Sequence, residues 1–120
     1  MRAVSAPQRE VSLEALRSAI RKSERSCERM QAKGVATVLV ERRLAALRAG
    51  LAVLESSGNH ALISFTDETL LESRGTLADL HRNISTMFGK TKEGTAQHTL
   101  MSRRLFALEC AIEAIDDLLD

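Results

Sequence analysis

Two arginine pairs, Arg42-Arg43 and Arg103-Arg104, are the residues of this sequence best suited to hold a ligand. Each pair stands just before an apolar residue, Leu44 or Leu105. A guanidinium offers a planar fork of N–H donors that matches a carboxylate or phosphate, and it stays charged in partial burial. Two pairs in matching contexts therefore point to two related anion sites. A simpler reading competes with this one: each arginine lays its stem along the edge of the core and pairs with a Glu or Asp.

A second basic pattern is a stripe. Arg17, Arg21, Arg25, Arg29 and Lys33 recur every four residues. On a helix they would span roughly 24 Å of one slowly turning face. Like charges at this spacing repel by ~0.2–0.5 kcal/mol per pair. Glu24 and Glu28 sit where they offset part of that cost. An anionic partner, nucleic acid or acidic protein, would suit the stripe. Nucleic acid is the less favoured of the two, because net charge is only +1 and the three aromatics are all Phe. An acidic group, Glu109, Glu113, Asp116, Asp117 and Asp120, closes the chain. It is expected to lie near the start of the first helix, beside Arg9 and Arg17.

The remaining reactive residues assemble no motif. His60, His81 and His98 form neither Glu-x-x-His nor His-x-x-x-His, so no metal is expected. His98 is expected to be a capping or partly buried residue. Cys27 and Cys110 are too few and too far apart for a disulfide framework or a zinc site, and two buried thiols in a reducing cytoplasm are expected. Gly89-Lys-Thr-Lys-Glu-Gly94 lacks the spacing of a phosphate loop. No catalytic residue and no cofactor are nominated.

The elements that must position these residues are helices. Leu13, Leu16, Ile20, Ser23, Cys27 and Met30 step by three and four, as do Val40, Leu44, Leu47, Leu51 and Leu54. Leu77, Leu80, Ile84 and Met87 form a third seam, and Met101, Leu105, Leu108, Ile112, Ile115 and Leu119 a fourth. Such spacing places side chains on one helix face, where a strand would need alternation. Helices are expected near 12–33, 36–56, 76–90 and 95–119. Ser12, Thr76 and Thr95 are the candidate N-caps, and Gly34 is the candidate C-terminal stop. Pro7 suits an extra first turn after Ser5. Residues 56–60 read as loop, and residues 67–73 as a short helix stopped by Arg74-Gly75.

The seams repeat. Leu39 to Leu47 matches Leu100 to Leu108 at an offset of 61, with both arginine pairs in register. The first and third seams match at an offset of 64. The expected fold is all-α, an antiparallel four-helix bundle of two tandem, internally duplicated hairpins in one domain (12–56 and 76–120, linker 57–75). Ala46 and Gly50 in one helix, with Ala107, Ala111 and Ala114 in another, would let the second and fourth helices approach closely.

Length and composition agree. The chain has 120 residues, 44% of them hydrophobic and 28% charged, which is one globular domain. Residues 1–50 carry a net +6 and residues 51–120 a net −5. No apolar run reaches the ~20 residues of a membrane span. No secretory leader is read at the N-terminus, and the expected setting is cytoplasmic. Val35, Val38, Leu62, Ile63, Phe65 and Phe106 exceed what four seams require. They suggest a patch for a protein partner or a homodimer. The function expected first is a small non-catalytic helical interaction module of the adaptor, regulator or immunity type. The alternative is a bundle that binds nucleic acid or phosphate through the stripe and the arginine pairs.

The stripe supplies a test that separates them. Replacing Arg21, Arg25 and Arg29 together with Gln should leave helicity intact and change stability little, since exposed ion pairs contribute only ~0–1 kcal/mol each. No specific duplex binding is expected at physiological salt. Tight binding by the unaltered chain, with a log–log salt slope that falls by about 0.9 per arginine removed, would favour the alternative.

Overall fold

Four helices account for most of residues 4–56, 59 and 63–120, the parts of the chain that the computed structural model describes. They are α1 (Ala6–Ala32), α2 (Val38–Ser56), α3 (Asp67–Phe88) and α4 (Ala96–Leu119), with no strand among the described residues. His60, Leu62 and most of the loop read at 56–60 lie outside them.

Local chemistry sets the helix ends. Ser5 and Gln8 form a reciprocal capping box: Gln8 N–H donates to Ser5 Oγ, and Ser5 N–H donates to Gln8 Oε1. With Pro7 in the first turn, α1 starts well before Ser12. Ser12 is thus a buried mid-helix residue and not a cap, and its hydroxyl has no partner among the described residues. At the other end Gly34 takes φ +71°, Val35 N–H donates to Met30 O and Gly34 N–H to Gln31 O. That double return satisfies two of the last carbonyls. Thr95 caps α4 by accepting from His98 N–H, after Gly94 at φ +87°.

α3 differs from expectation. Thr66 is its N-cap, and Asp67 and Glu68 sit favourably in its first turn. The helix runs straight through Arg74-Gly75, so Thr76 is interior and donates its hydroxyl proton to the Glu72 carbonyl. A glycine lowers helix stability by roughly 1 kcal/mol but does not forbid the helix, and Leu70, Ser73 and Leu77 bury one continuous face across it. The segment read as linker 57–75 is therefore partly helix from residue 67 onward.

The four helices pack as a bundle around a core that includes Leu13, Leu16, Leu47, Leu77, Leu108 and Ile115. α2 and α4 touch directly, and α1 and α3 each pack on both of them. α1 and α3 have at most marginal contact with each other. The result is a flattened body of 39 × 37 × 20 Å. The direct α2–α4 contact depends on small residues. A Cβ placed on Gly50 would lie 3.2 Å from Ala111 Cβ and 3.2 Å from Leu77 Cδ1.

Polar contacts tie the ends of the helices. Arg9 Nη2 donates to the carbonyls of Leu54 and Glu55 at the end of α2. Arg17 reaches Glu55, Glu10 and Glu14. In the acidic end of α4, Asp116 is engaged by Arg74 through Nε–Oδ1 at 2.9 Å and Nη2–Oδ2 at 3.3 Å. The carboxylates that Arg17 engages come from α1 and α2. Cys27 and Cys110 are both buried, as expected.

Two glycines in helix interiors should respond oppositely. Gly75 has open space where a side chain would start, so Gly75→Ala should raise stability by ~0.5–1 kcal/mol. Gly50→Val would wedge α2 from α4 and should lower it by ~1–3 kcal/mol. Urea titrations of both variants read the two signs.

Candidate functional site

The arginine pairs divide, one member of each going to a shared cleft. Arg43 and Arg104 both line a cavity of about 240 Å³ that all four helices wall. Arg42 instead borders a separate, more polar depression of α2 and α3 beside Glu72 and Asp79. Arg103 borders a shallow depression of α1 and α4 beside Val11 and Phe106. The partition follows helix geometry. Adjacent residues on a helix point about 100° apart, so neighbouring arginines cannot share a face.

The floor and walls of the cleft are apolar. Leu16, Leu47, Ala107 and Leu108 are buried residues of the core, and Leu80 and Ile84 of α3 are half-buried beside them. α1 contributes the small side chains Ala15, Ala19, Ser23 and Ser26. Small side chains on α1 facing larger ones on α3 leave room that the core does not fill. Three cations border that room: Lys22, Arg43 and Arg104. No Asp or Glu lines it, and none of the three makes an ion pair among the described residues.

Arg104 is the most strained of them electrostatically. Its Nε is enclosed and has no hydrogen-bond acceptor among the described residues. Burial pushes its guanidinium below the ordinary arginine value, because removal from water disfavours the charged form. An arginine remains charged through such a shift, so a half-buried cation stands beside apolar side chains with no ion pair among the described residues. An anion entering the cleft would supply what Arg104 lacks.

The basic stripe is used differently along its length. Arg17 is held by Glu55, Glu10 and Glu14, and Arg21 by Glu14 at 2.9 Å. The hydrogen bond that Arg17 donates to Glu55 raises the Arg17 value above the ordinary one. Arg25, Arg29 and Lys33 are exposed and have no carboxylate partner among the described residues. Glu24, which the sequence sets against Arg21, is taken instead by Arg48 of α2 at 2.8 Å.

The apolar surplus also falls differently. Ile63, Phe65 and Phe106 pack on the core. Val35 and Val38 are exposed, and Leu39, Met87 and Leu100 join them. These five belong to the α1–α2 turn, the start of α2, the end of α3 and the start of α4. The third seam therefore loses Met87 to the surface, and Met87 also lines the cleft.

The two described histidines, His81 and His98, have structural partners. His98 is half-buried, stacks on Phe88 with centroids 4.3 Å apart, and places Nδ1 2.9 Å from Thr91 Oγ1. His81 Nε2 lies 2.9 Å from Glu109 Oε2. No group of three or more His, Cys, Asp or Glu among the described residues is arranged to hold a metal ion. No helix is long and apolar enough to cross a membrane among the described residues.

No family model, curated protein or solved structure matches the chain.

The isolation of Arg104 has a measurable consequence. A buried donor left without an acceptor costs ~1–3 kcal/mol. Arg104→Met keeps the stem and removes the charge, so stability should rise by about 1 kcal/mol. Arg103→Met, on the exposed neighbour, should change it by less than ~0.5 kcal/mol. Equal effects of the two in chemical denaturation would show that burial does not penalise Arg104.

Proposed function

We propose that the protein is a small non-catalytic helical interaction module whose working surface is the cleft of Arg43 and Arg104 and the apolar end around it. The observation that carries this reading is the convergence of two half-buried arginines, Arg43 and Arg104, neither with an ion pair among the described residues, on one largely apolar cavity. A bundle that served only to stay folded would gain by placing a neutral side chain there. The partner this surface suits is anionic and partly apolar. Of the phosphate-binding alternative, the paired arginines favour a single shared anion site over two separate ones. The stripe gives the nucleic-acid reading less support, since Arg17 and Arg21 are already engaged by carboxylates.

The same reading takes the bundle as two duplicated, antiparallel hairpins. Equivalent positions support it by meeting. Gly50 and Ala111 correspond at the offset of 61 and face each other so closely that a Cβ on Gly50 would lie 3.2 Å from Ala111 Cβ. Arg43 and Arg104, Leu47 and Leu108, and Leu16 and Leu80 are further equivalent pairs, and all line one cavity. Residues related by a two-fold axis touch only where the axis passes between them. Leu39 and Leu100, equivalent again, are both exposed.

A fluorescent probe that is both anionic and apolar, anilinonaphthalene sulfonate, tests the reading. The folded protein should bind it with enhanced emission. The Arg43→Gln/Arg104→Gln variant should bind at least about tenfold more weakly, since a charge-assisted hydrogen bond contributes ~1.5–3 kcal/mol. Replacing Arg25, Arg29 and Lys33 with Gln should leave binding unchanged. Equal losses in both variants, or no emission from the folded chain, would overturn the cleft as the working surface.

A further inference from the structure

We infer that the cleft takes a single-chain carboxylic acid of medium length, with the carboxylate held by Arg104 and Arg43 and the tail lying against Leu16, Leu47 and Leu108. The inference rests on the functional reading above and adds the chemistry and size of the occupant.

The charge argument comes first. The cleft has three bordering cations and no lining carboxylate. The guanidinium groups of Arg104 and Arg43, which line the cleft, offer N–H forks that match the two oxygens of one carboxylate. The size argument follows. A volume of about 240 Å³ holds about eight water-sized groups at ~30 Å³ each. A methylene is of similar size, so an acid of roughly eight carbons fills the space and a long-chain acid outgrows it. The shape argument agrees with both. Four helices wall the cavity, and α1 lines it with Ala15, Ala19 and Ser23, which leaves a pocket bounded on several sides. A partner helix would need an open groove of several turns.

The atoms that bind are therefore few. Apolar contact with the buried leucines supplies affinity that grows with tail length, by about fourfold per methylene placed in the cavity. The arginines supply selectivity for a charged head over a neutral one.

Isothermal titration of the full chain with octanoate, and separately with 1-octanol, acetate and palmitate, tests this. Octanoate should bind saturably at one site and displace the fluorescent probe. Octanol should bind at least tenfold more weakly, and acetate not measurably. Butanoate and hexanoate should fall on the fourfold-per-methylene line, and palmitate should gain nothing over octanoate. Arg104→Gln should weaken octanoate by about tenfold or more while leaving octanol unchanged. Ala19→Phe, which fills the cavity from α1, should abolish both, with helicity checked by circular dichroism. Octanoate and octanol binding alike would overturn the inference, and this comparison needs no variant. So would displacement of the probe by an acidic amphipathic peptide but not by octanoate, which would assign the surface to a protein. If the probe binds through both arginines while octanoate neither binds nor displaces it, the inference fails and the functional reading stands. If the probe itself does not bind, both fail.

Discussion

The structure depends on the close approach of α2 and α4. Gly50 faces Ala111 at a separation that leaves no space for a larger side chain at either position. Helices normally pack 8–10 Å apart according to the side chains between them, and small residues set the near limit. When one diagonal pair of a four-helix bundle closes in this way, the other pair is forced apart. α1 and α3 are that other pair, each packed on α2 and α4 and scarcely on one another. The flattened outline of the body is the same fact seen from outside. Between helices held apart, side chains must be long to fill the gap. On α1 they are short, at Ala15, Ala19 and Ser23, and the gap survives as a cleft.

Charge is distributed so that the two ends of the bundle differ. At one end, Arg9 lies on the last carbonyls of α2, Arg17 reaches Glu55, and Arg74 forks onto Asp116. Each of these joins two helices. They are partly exposed, so individually they contribute little, but they satisfy helix ends and fix which helix lies beside which. At the other end Arg43, Arg104 and Lys22 border the cleft without carboxylates, and Val35, Val38, Leu39, Met87 and Leu100 are exposed. The first end is closed by polar contacts internal to the chain. The second presents both kinds of group that a partner could satisfy.

The helices were legible because three- and four-residue spacing states a buried face directly, and Leu13, Leu47, Leu77 and Ile115 are buried as their seams require. The ends were legible where backbone geometry demanded one residue type, as at Gly34 and Gly94. They were misread where a residue type permits two roles. Gly75 reads as a stop, yet the face formed by Leu70, Ser73 and Leu77 carries the helix across it. Ser12 has a cap's composition, but Ser5, Pro7 and Gln8 together make the better start. The cleft was half legible. The arginine pairs pointed to anions, but which member of each pair would matter is a question of face. The signal was present: Arg43, Leu47 and Gly50 step by four and three, as do Arg104, Leu108 and Ala111. The helix faces that approach most closely at Gly50 and Ala111 are therefore the faces that carry Arg43 and Arg104 two turns earlier. Nothing in one sequence fixes which pair of helices forms the near diagonal, and that choice decides whether those arginines meet.

A sequence folds well when local preference, burial and charge agree, and positions where they conflict mark other demands on the chain. Arg104 is such a position. It stands three residues before Ala107 and four before Leu108, two buried residues, with its own Nε enclosed. Helix propensity does not require arginine there, because leucine and methionine are comparable helix formers. Solubility does not require it either, since Arg103 beside it already presents its charge to solvent. Core packing is better served by an apolar side chain of the same length. What arginine adds at this position, and methionine could not, is a fixed fork of donors inside an apolar wall. That is a poor device for holding four helices together and a good one for receiving an anion whose remainder is apolar.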